Sequence, residues 1–307
     1  MMRKRLIFLL LVIATMIGYL IGSYFVDFAL KRVDPNDIDS GPEACANIHD
    51  ASVLLPNKPN APSEIWSIKS SDGLNLNATH FSPANSRHQW AILVHGYGRD
   101  QRYAWDYAEA YINQGYDVLT PDLRSSGTSE GIYLTMGARE SDDILLWIEK
   151  ILENDPSAQI ILHGVSMGAA TVIMAAAKSQ SPNLIAVIED CGYTSAFNMF
   201  TAQLKVIFNL PSFPIMNFVD IVSHFKTGVA ISDAAPILYV KNIDIPILFI
   251  HGTEDKLVPY YMMQELYDHC KAPIKEIFSV EGVGHASAKN ADPTAYFNRI
   301  FSFLEQY

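Results

Sequence analysis

Residues 159–178 read QIILHGVSMGAATVIMAAAK, and the whole chain can be interpreted outward from them. The run QIIL is apolar and short, with turn residues after it, which is the pattern of a buried strand. MGAATVIMAAAK is long enough for a helix, and its small side chains allow close packing on a sheet. Between the two lies Gly164-Val165-Ser166-Met167-Gly168. A Gly-x-Ser-x-Gly match alone arises by chance in about one chain of this length in ten. Its placement between strand and helix raises its weight. A sharp strand-to-helix turn crowds its neighbours, so Gly164 and Gly168, which lack Cβ, fit where larger residues would clash. Such a turn holds Ser166 in a strained conformation with its hydroxyl exposed. It also aims a helix N-terminus at any group reacting there, which favours developing negative charge.

The flanking sequence repeats the strand–helix alternation. EIWSIKS and LNLNATHF read as an initial hairpin around SDG. WAILVHG, YDVLTPD, QIILHG, LIAVIED, PILFIHG and IKEIFSVEG each read as a buried strand ending at turn residues. Helical patterns lie between them. QRYAWDYAEAYINQG stops at Gly115, and ARESDDILLWIEKILENDP places Ile144, Leu145, Ile148 and Ile151 on one face before Pro156. Alternation of this length predicts an α/β fold: a mostly parallel sheet of about eight strands with helices on both faces. Residues 195–235 break the rhythm. They carry Phe197, Phe200, Phe208, Phe213, Phe218 and Phe225 with Met199 and Met216, and read as a small helical lid inserted in the main domain. These phenylalanines either line a pocket for an apolar group or pack the lid onto the core.

The N-terminus has a different character. Residues 6–26, LIFLLLVIATMIGYLIGSYFV, form a 21-residue apolar run without a charge. As a helix it would be roughly 31 Å long, about the thickness of a bilayer's hydrocarbon core. It exceeds the apolar region of a cleavable signal peptide, and SYFVDFALKR offers a poor cleavage site. Residues 1–30 are therefore expected to be an uncleaved single-pass anchor. Arg3, Lys4 and Arg5 before the run, against Lys31 and Arg32 after it, favour the N-terminus inside and the globular domain on the non-cytoplasmic side. Residues 31–61, rich in Pro, Asn, Asp and Ser, read as a linker, and 62–307 as the folded domain.

The 307 residues are 49% hydrophobic with a net charge of −11, enough for one large core. The acidic balance argues against nucleic acid, which needs clustered Lys and Arg. Cys45, Cys191 and Cys270 are too few and too irregular for a disulfide framework or a metal cluster. HGYGRD lacks the Gly-x-Gly-x-x-Gly pattern of dinucleotide sites. No cofactor and no metal are expected.

A serine hydroxyl needs a base, and the base needs a group to orient it. His285, in SVEGVGHAS, follows the last strand in a glycine-containing loop. His95 and His251 precede glycines at strand ends and read as structural, and His163 sits beneath the turn. His49, His80, His88, His224 and His269 lie in linker, surface or lid-side contexts. Asp255, in FIHGTEDKLVP, is the first choice for the orienting acid, with Asp190 in VIEDCGY as runner-up. Asp122 in TPDLRSSG reads as a turn residue.

VHGYG, GVSMG, HGTEDKLVP and GVGHAS together resemble the landmark motifs of the α/β-hydrolases, in the same order along the chain. Within that superfamily the sequence is similar to membrane-anchored bacterial serine-aminopeptidase-like or cell-surface hydrolases, a resemblance covering residues 62–307. The order Ser166, Asp255, His285 is the nucleophile–acid–base order of that fold. The resemblance also implies an oxyanion hole built from the backbone N–H groups of Tyr97 and Met167. Where some members carry RGHGxS after the fourth strand, this chain reads RSSGTSEG, so any role of that histidine is absent. The function implied is a serine hydrolase that cleaves an ester, with an amide or a thioester as second choices, of a small-molecule or peptide acyl substrate. An acyltransferase on the same triad and a tethered binding module without catalysis are the alternatives.

Overall fold

The computed structural model describes residues 2–32 and 55–307. Most of the expected linker, with Cys45 and His49, lies outside them. The strands are β1 (Ser63–Lys69), β2 (Asn75–Phe81), β3 (Gln89–Val94), β4 (Asp117–Pro121), β5 (Gln159–Val165), β6 (Leu184–Asp190), β7 (Ile247–Gly252) and β8 (Lys275–Val280). They form one sheet in the order β1-β2-β4-β3-β5-β6-β7-β8. β2 runs antiparallel to β1 and β4, and every other pair is parallel. This is the expected eight-stranded, mostly parallel α/β sheet. Its central strands are apolar runs because helices cover both faces.

The longer helices are α1 (Met2–Leu30), α2 (Trp105–Asn113), α3 (Glu140–Asn154), α4 (Met167–Lys178), α5 (Ala196–Phe208), α6 (Ile215–Thr227), α7 (Tyr261–His269) and α8 (Pro293–Leu304). Side chains alternating along β5 divide the core. Ile160 and Leu162 face α3 and α4, where Trp147, Ile148, Ile151, Val172 and Ile173 are buried. Ile161 faces the other way, among Tyr107 and Tyr111 of α2 and Tyr296, Ile300 and Phe303 of α8. The acidic first turn of α3, with Glu140, Asp142 and Asp143, suits the positive end of its dipole. At the end of α2 the chain turns at Gly115, whose φ of +92° favours glycine.

α1 is apolar and long enough to cross a membrane. Most of it is exposed, and its buried positions are Gly18, Gly22, Val26 and Leu30. Their four-residue spacing makes one stripe, which packs on α6. Past α1 the chain pairs with the segment after β4. Leu134 N–H donates to Leu30 O at 2.8 Å, and Arg32 N–H to Ile132 O at 2.7 Å.

Between β6 and β7, residues 195–235 form α5, α6 and a short turn of 3-10 helix at Ile231–Asp233. The six phenylalanines there do not act as one group. Phe200 and Phe208 line a cavity, Phe197 packs on the core, and Phe218 meets α1, whereas Phe213 and Phe225 stay exposed. One histidine also departs from expectation. His80 is buried on β2, where it meets Asp117 at 3.0 Å, because its strand pairs on both edges inside the sheet.

Candidate active site

The loops at the C-terminal ends of β3, β5, β6, β7 and β8 converge on Ser166. It caps α4 with φ +58° and ψ −117°, a conformation that L-residues rarely adopt. Both glycines of the turn are required by space. A Cβ on Gly164 would meet Gly168 O at 2.2 Å, and one on Gly168 would meet Val94 O at 2.1 Å. The turn is thus wedged between its own helix and the end of β3. Ser166 N–H donates to Asp190 O at 2.8 Å, which ties it to β6 as well.

His285 is half-buried and reaches both partners. Its Nε2 lies 2.8 Å from Ser166 Oγ and its Nδ1 2.6 Å from Asp255 Oδ2. Ser166, Asp255 and His285, scattered along the sequence, therefore form one hydrogen-bonded line. Asp255 is held from several sides. Its Oδ1 accepts the N–H groups of Leu257 and Val258 at 2.9 and 2.8 Å. Its Oδ2 also lies 3.2 Å from His251 Nε2. Burial by itself would raise the Asp255 pKa. The hydrogen bonds from His251 and His285 outweigh it and bring the carboxyl down to about 2.

Asp190, the runner-up acid, belongs to a different network. Its Oδ2 accepts the Tyr296 hydroxyl at 2.6 Å. Tyr296 in turn meets His163 Nε2 at 3.1 Å, and His163 Nδ1 meets the Tyr111 hydroxyl at 3.1 Å. This line runs beneath the turn between α2 and α8. Burial pushes the His163 pKa down to about 3, so the ring is neutral there. His95 has a supporting role. Its Nε2 accepts Leu123 N–H at 3.1 Å and its Nδ1 donates to Gly96 O at 2.9 Å. Asp122 does hold a turn, accepting from Gln101 and Thr128.

Tyr97 and Met167 both line the cavity over Ser166. Met167 opens α4, where the first N–H groups of a helix have no carbonyl within it to bond. Gly96 lets the loop carrying Tyr97 come close, since a Cβ there would stand 3.3 Å from Ser166 Cβ.

Three further residues at the site were not singled out by sequence. Cys191 has a ligand atom within 4.8 Å of those of Asp255 and His285, and its thiol pKa is driven up by burial. The backbone of Ala286, next to His285, hydrogen-bonds that thiol. Glu189 accepts Gly192 N–H, and burial raises its pKa to about 7. Cys191 and Ala286 also share the left-handed region with Ser166, at φ +53° and +50°. The sequence signal for all three was their place at the ends of β6 and β8.

The cavity has a volume of about 670 Å³, within the range of small-molecule sites. Met199, Phe200, Leu204, Ile207 and Phe208 of α5 form one side. Phe25, Phe28 and Ala29 of α1 also line it. Arg99, Asp106, Lys289 and Asn290 supply polar lining elsewhere. The arrangement offers a hydroxyl beside an imidazole, an ionised carboxylate behind that ring, and a largely apolar chamber around them.

Comparison with known proteins follows the same lines. The Bacillus subtilis protein YqkD is 26% identical over 240 residues, 78% of each chain. The Saccharomyces cerevisiae membrane protein YNL320W is 23% identical over 82% of this chain and 83% of its own. Among solved structures, the Pyrococcus furiosus esterase Pf2001 superposes with a TM-score of 0.67 at 22% identity, covering 83% of this chain and 96% of that one. A model of the alpha/beta hydrolase family matches residues 91–299, more than half of the sequence, and the chain belongs to that family.

Proposed function

We propose that this hydrolase is a serine esterase in which Ser166, His285 and Asp255 act as a catalytic triad through an acyl-enzyme. The observation that carries the reading is His285 lying 2.8 Å from Ser166 Oγ and 2.6 Å from Asp255 Oδ2. His285 Nε2 takes the hydroxyl proton as Ser166 Oγ attacks the ester carbonyl carbon. The carbonyl electron pair moves onto oxygen, and the N–H groups of Tyr97 and Met167 receive that oxyanion. Asp255 stays ionised and stabilises the imidazolium. His285 then passes its proton to the leaving alkoxide oxygen as the carbon–oxygen bond breaks. Water, deprotonated by the same nitrogen, attacks the acyl-enzyme, the acid departs, and the proton returns to Ser166.

An ester is favoured because the chamber is mostly apolar, and its alkoxide leaves more readily than an amine. Helices α5 and α6 act as a cap over it. α1 anchors the protein, with the catalytic domain on the non-cytoplasmic side.

Hydrolysis of p-nitrophenyl butyrate by the full-length protein tests the assignment. Ser166→Ala is expected to abolish it. Asp255→Asn is expected to lower kcat by about 10⁴, as loss of the orienting acid does in triads of this kind. Asp190→Asn leaves the line to Ser166 intact and is expected to cost less than about tenfold, since its carboxyl meets Tyr296 instead. The reverse ranking of the two aspartates would assign the acid to Asp190.

A further inference from the structure

Helix α6 runs beside α1 in the same direction. Phe218 covers Gly18, Phe218 O and Val222 cover Gly22, and Lys226 pairs with Asp27 at 2.6 Å. Gly18-x-x-x-Gly22 is the small-residue spacing that lets two helices approach closely. A Cβ on Gly22 would stand 2.6 Å from Phe218 O, so a larger residue would force the helices apart. The register places the start of α6 within the apolar run of α1, whose last residue is Val26. From Gly18 to Val26 is about 12 Å along a helix, so α6 descends that far along the run.

The surface of this part carries large apolar side chains among polar ones such as Lys205, Asn217 and His224. Phe213, in the loop before α6, is 76% exposed, Ile221 is 54%, Phe225 is 77%, and Val206 on α5 is 76%. Large apolar residues exposed this fully on adjacent elements mark a contact with something other than water. The apolar run of α1 states what that is, because a bilayer that receives α1 also receives whatever lies flush against it. The same elements wall the cavity. Phe208 at the end of α5 meets Phe25 and Phe28 of α1 edge-on, each at 5.2 Å between centroids, and all three line the chamber that holds Ser166.

We propose that α5, α6 and the loop 209–214 sit in the outer part of the bilayer against α1, and that the chamber takes the long acyl chain of a membrane-resident ester from that side. The substrate class is thus an amphiphile with an ester-linked acyl chain, and α1 is part of its binding site as well as an anchor. This deepens the serine-esterase reading and, for its catalytic half, rests on it.

Two measurements on the full-length protein in phosphatidylcholine vesicles test it. The first needs no activity. Phe213→Trp adds a tryptophan at the exposed loop, and replacing the lipid by its brominated form is expected to quench the added fluorescence, after subtraction of the unsubstituted protein. Fluorescence equal in both lipids would overturn the membrane placement. The second measures kcat/KM for p-nitrophenyl butyrate, octanoate and dodecanoate. Each methylene buried in the chamber is worth about fourfold, so dodecanoate should exceed butyrate by more than about tenfold. Gly22→Leu should bring the ratio of dodecanoate to butyrate kcat/KM down to about one, by parting α1 from α6. A flat chain-length profile in the unsubstituted protein, or one that Gly22→Leu does not alter, would overturn the substrate class. Absence of butyrate hydrolysis altogether would overturn the esterase reading, while quenching would still report the membrane placement.

Discussion

At the scale of single residues, His163 gives the sharpest forecast. Its ring is buried between Tyr111 and Tyr296, and its pKa falls from 6.5 to about 3 on folding. Between those values the unfolded chain binds a proton that the native state refuses. The contribution is therefore present in full above pH 6.5 and is lost as pH falls toward 3. The unfolding free energy should decline by about 1.4 kcal/mol per pH unit through this group. Chemical denaturation from pH 7 to 4 should show a shallower decline for His163→Gln than for the unsubstituted protein. Equal slopes would mean that the imidazole is solvated or charged in the native state. Sequence could read Ser166, because a tight turn imposes a local pattern of glycines. It could also place His285 in a loop after the last strand. The choice of Asp255 over Asp190 rested on position alone. What separates them is tertiary: Asp190 turns toward Tyr296, from a helix more than a hundred residues later. Cys191 was silent for the same reason, since Asp255 and His285 beside it come from other strand ends.

At the scale of elements, α8 illustrates how a helix can serve the site without touching it. Tyr296 is buried and bridges His163 to Asp190, whose other oxygen has no partner among the described residues. Tyr296→Phe keeps the ring and removes the bridge, leaving buried polar atoms unpaired. A loss of about 1–3 kcal/mol is expected, read as a lower denaturant midpoint with an unchanged slope. A variant as stable as the parent would show that water replaces the hydroxyl. The strands were legible because buried parallel strands are continuous apolar runs bounded by turn residues. Their spatial order was not, since β4 lies between β2 and β3, and hydropathy does not encode neighbours. The packing of α1 on α6 was equally hidden. Two glycines in an apolar run read as part of the run until a partner helix is placed against them.

At the scale of the whole molecule, α1, the helices α5 and α6 and the line from Ser166 through His285 to Asp255 form a connected unit. α1 meets α6 along its glycine stripe, α5 carries Phe208 to α1, and the chamber behind them ends at Ser166. The proposed orientation, with the folded domain on the non-cytoplasmic side, rests on Arg3, Lys4 and Arg5 ahead of the apolar run. An epitope placed after Tyr307 should be removed by protease added to intact cells. Removal only after permeabilisation would reverse the topology. The central claim is chemical, and one measurement reaches it directly: treatment of the full-length protein with a fluorophosphonate, followed by mass spectrometry of its peptides. The adduct should lie on the peptide containing Ser166 and disappear in Asp255→Asn and His285→Ala under conditions of brief labelling. An adduct on another residue, or an unmodified Ser166 in protein that hydrolyses butyrate, would contradict the assignment of the nucleophile.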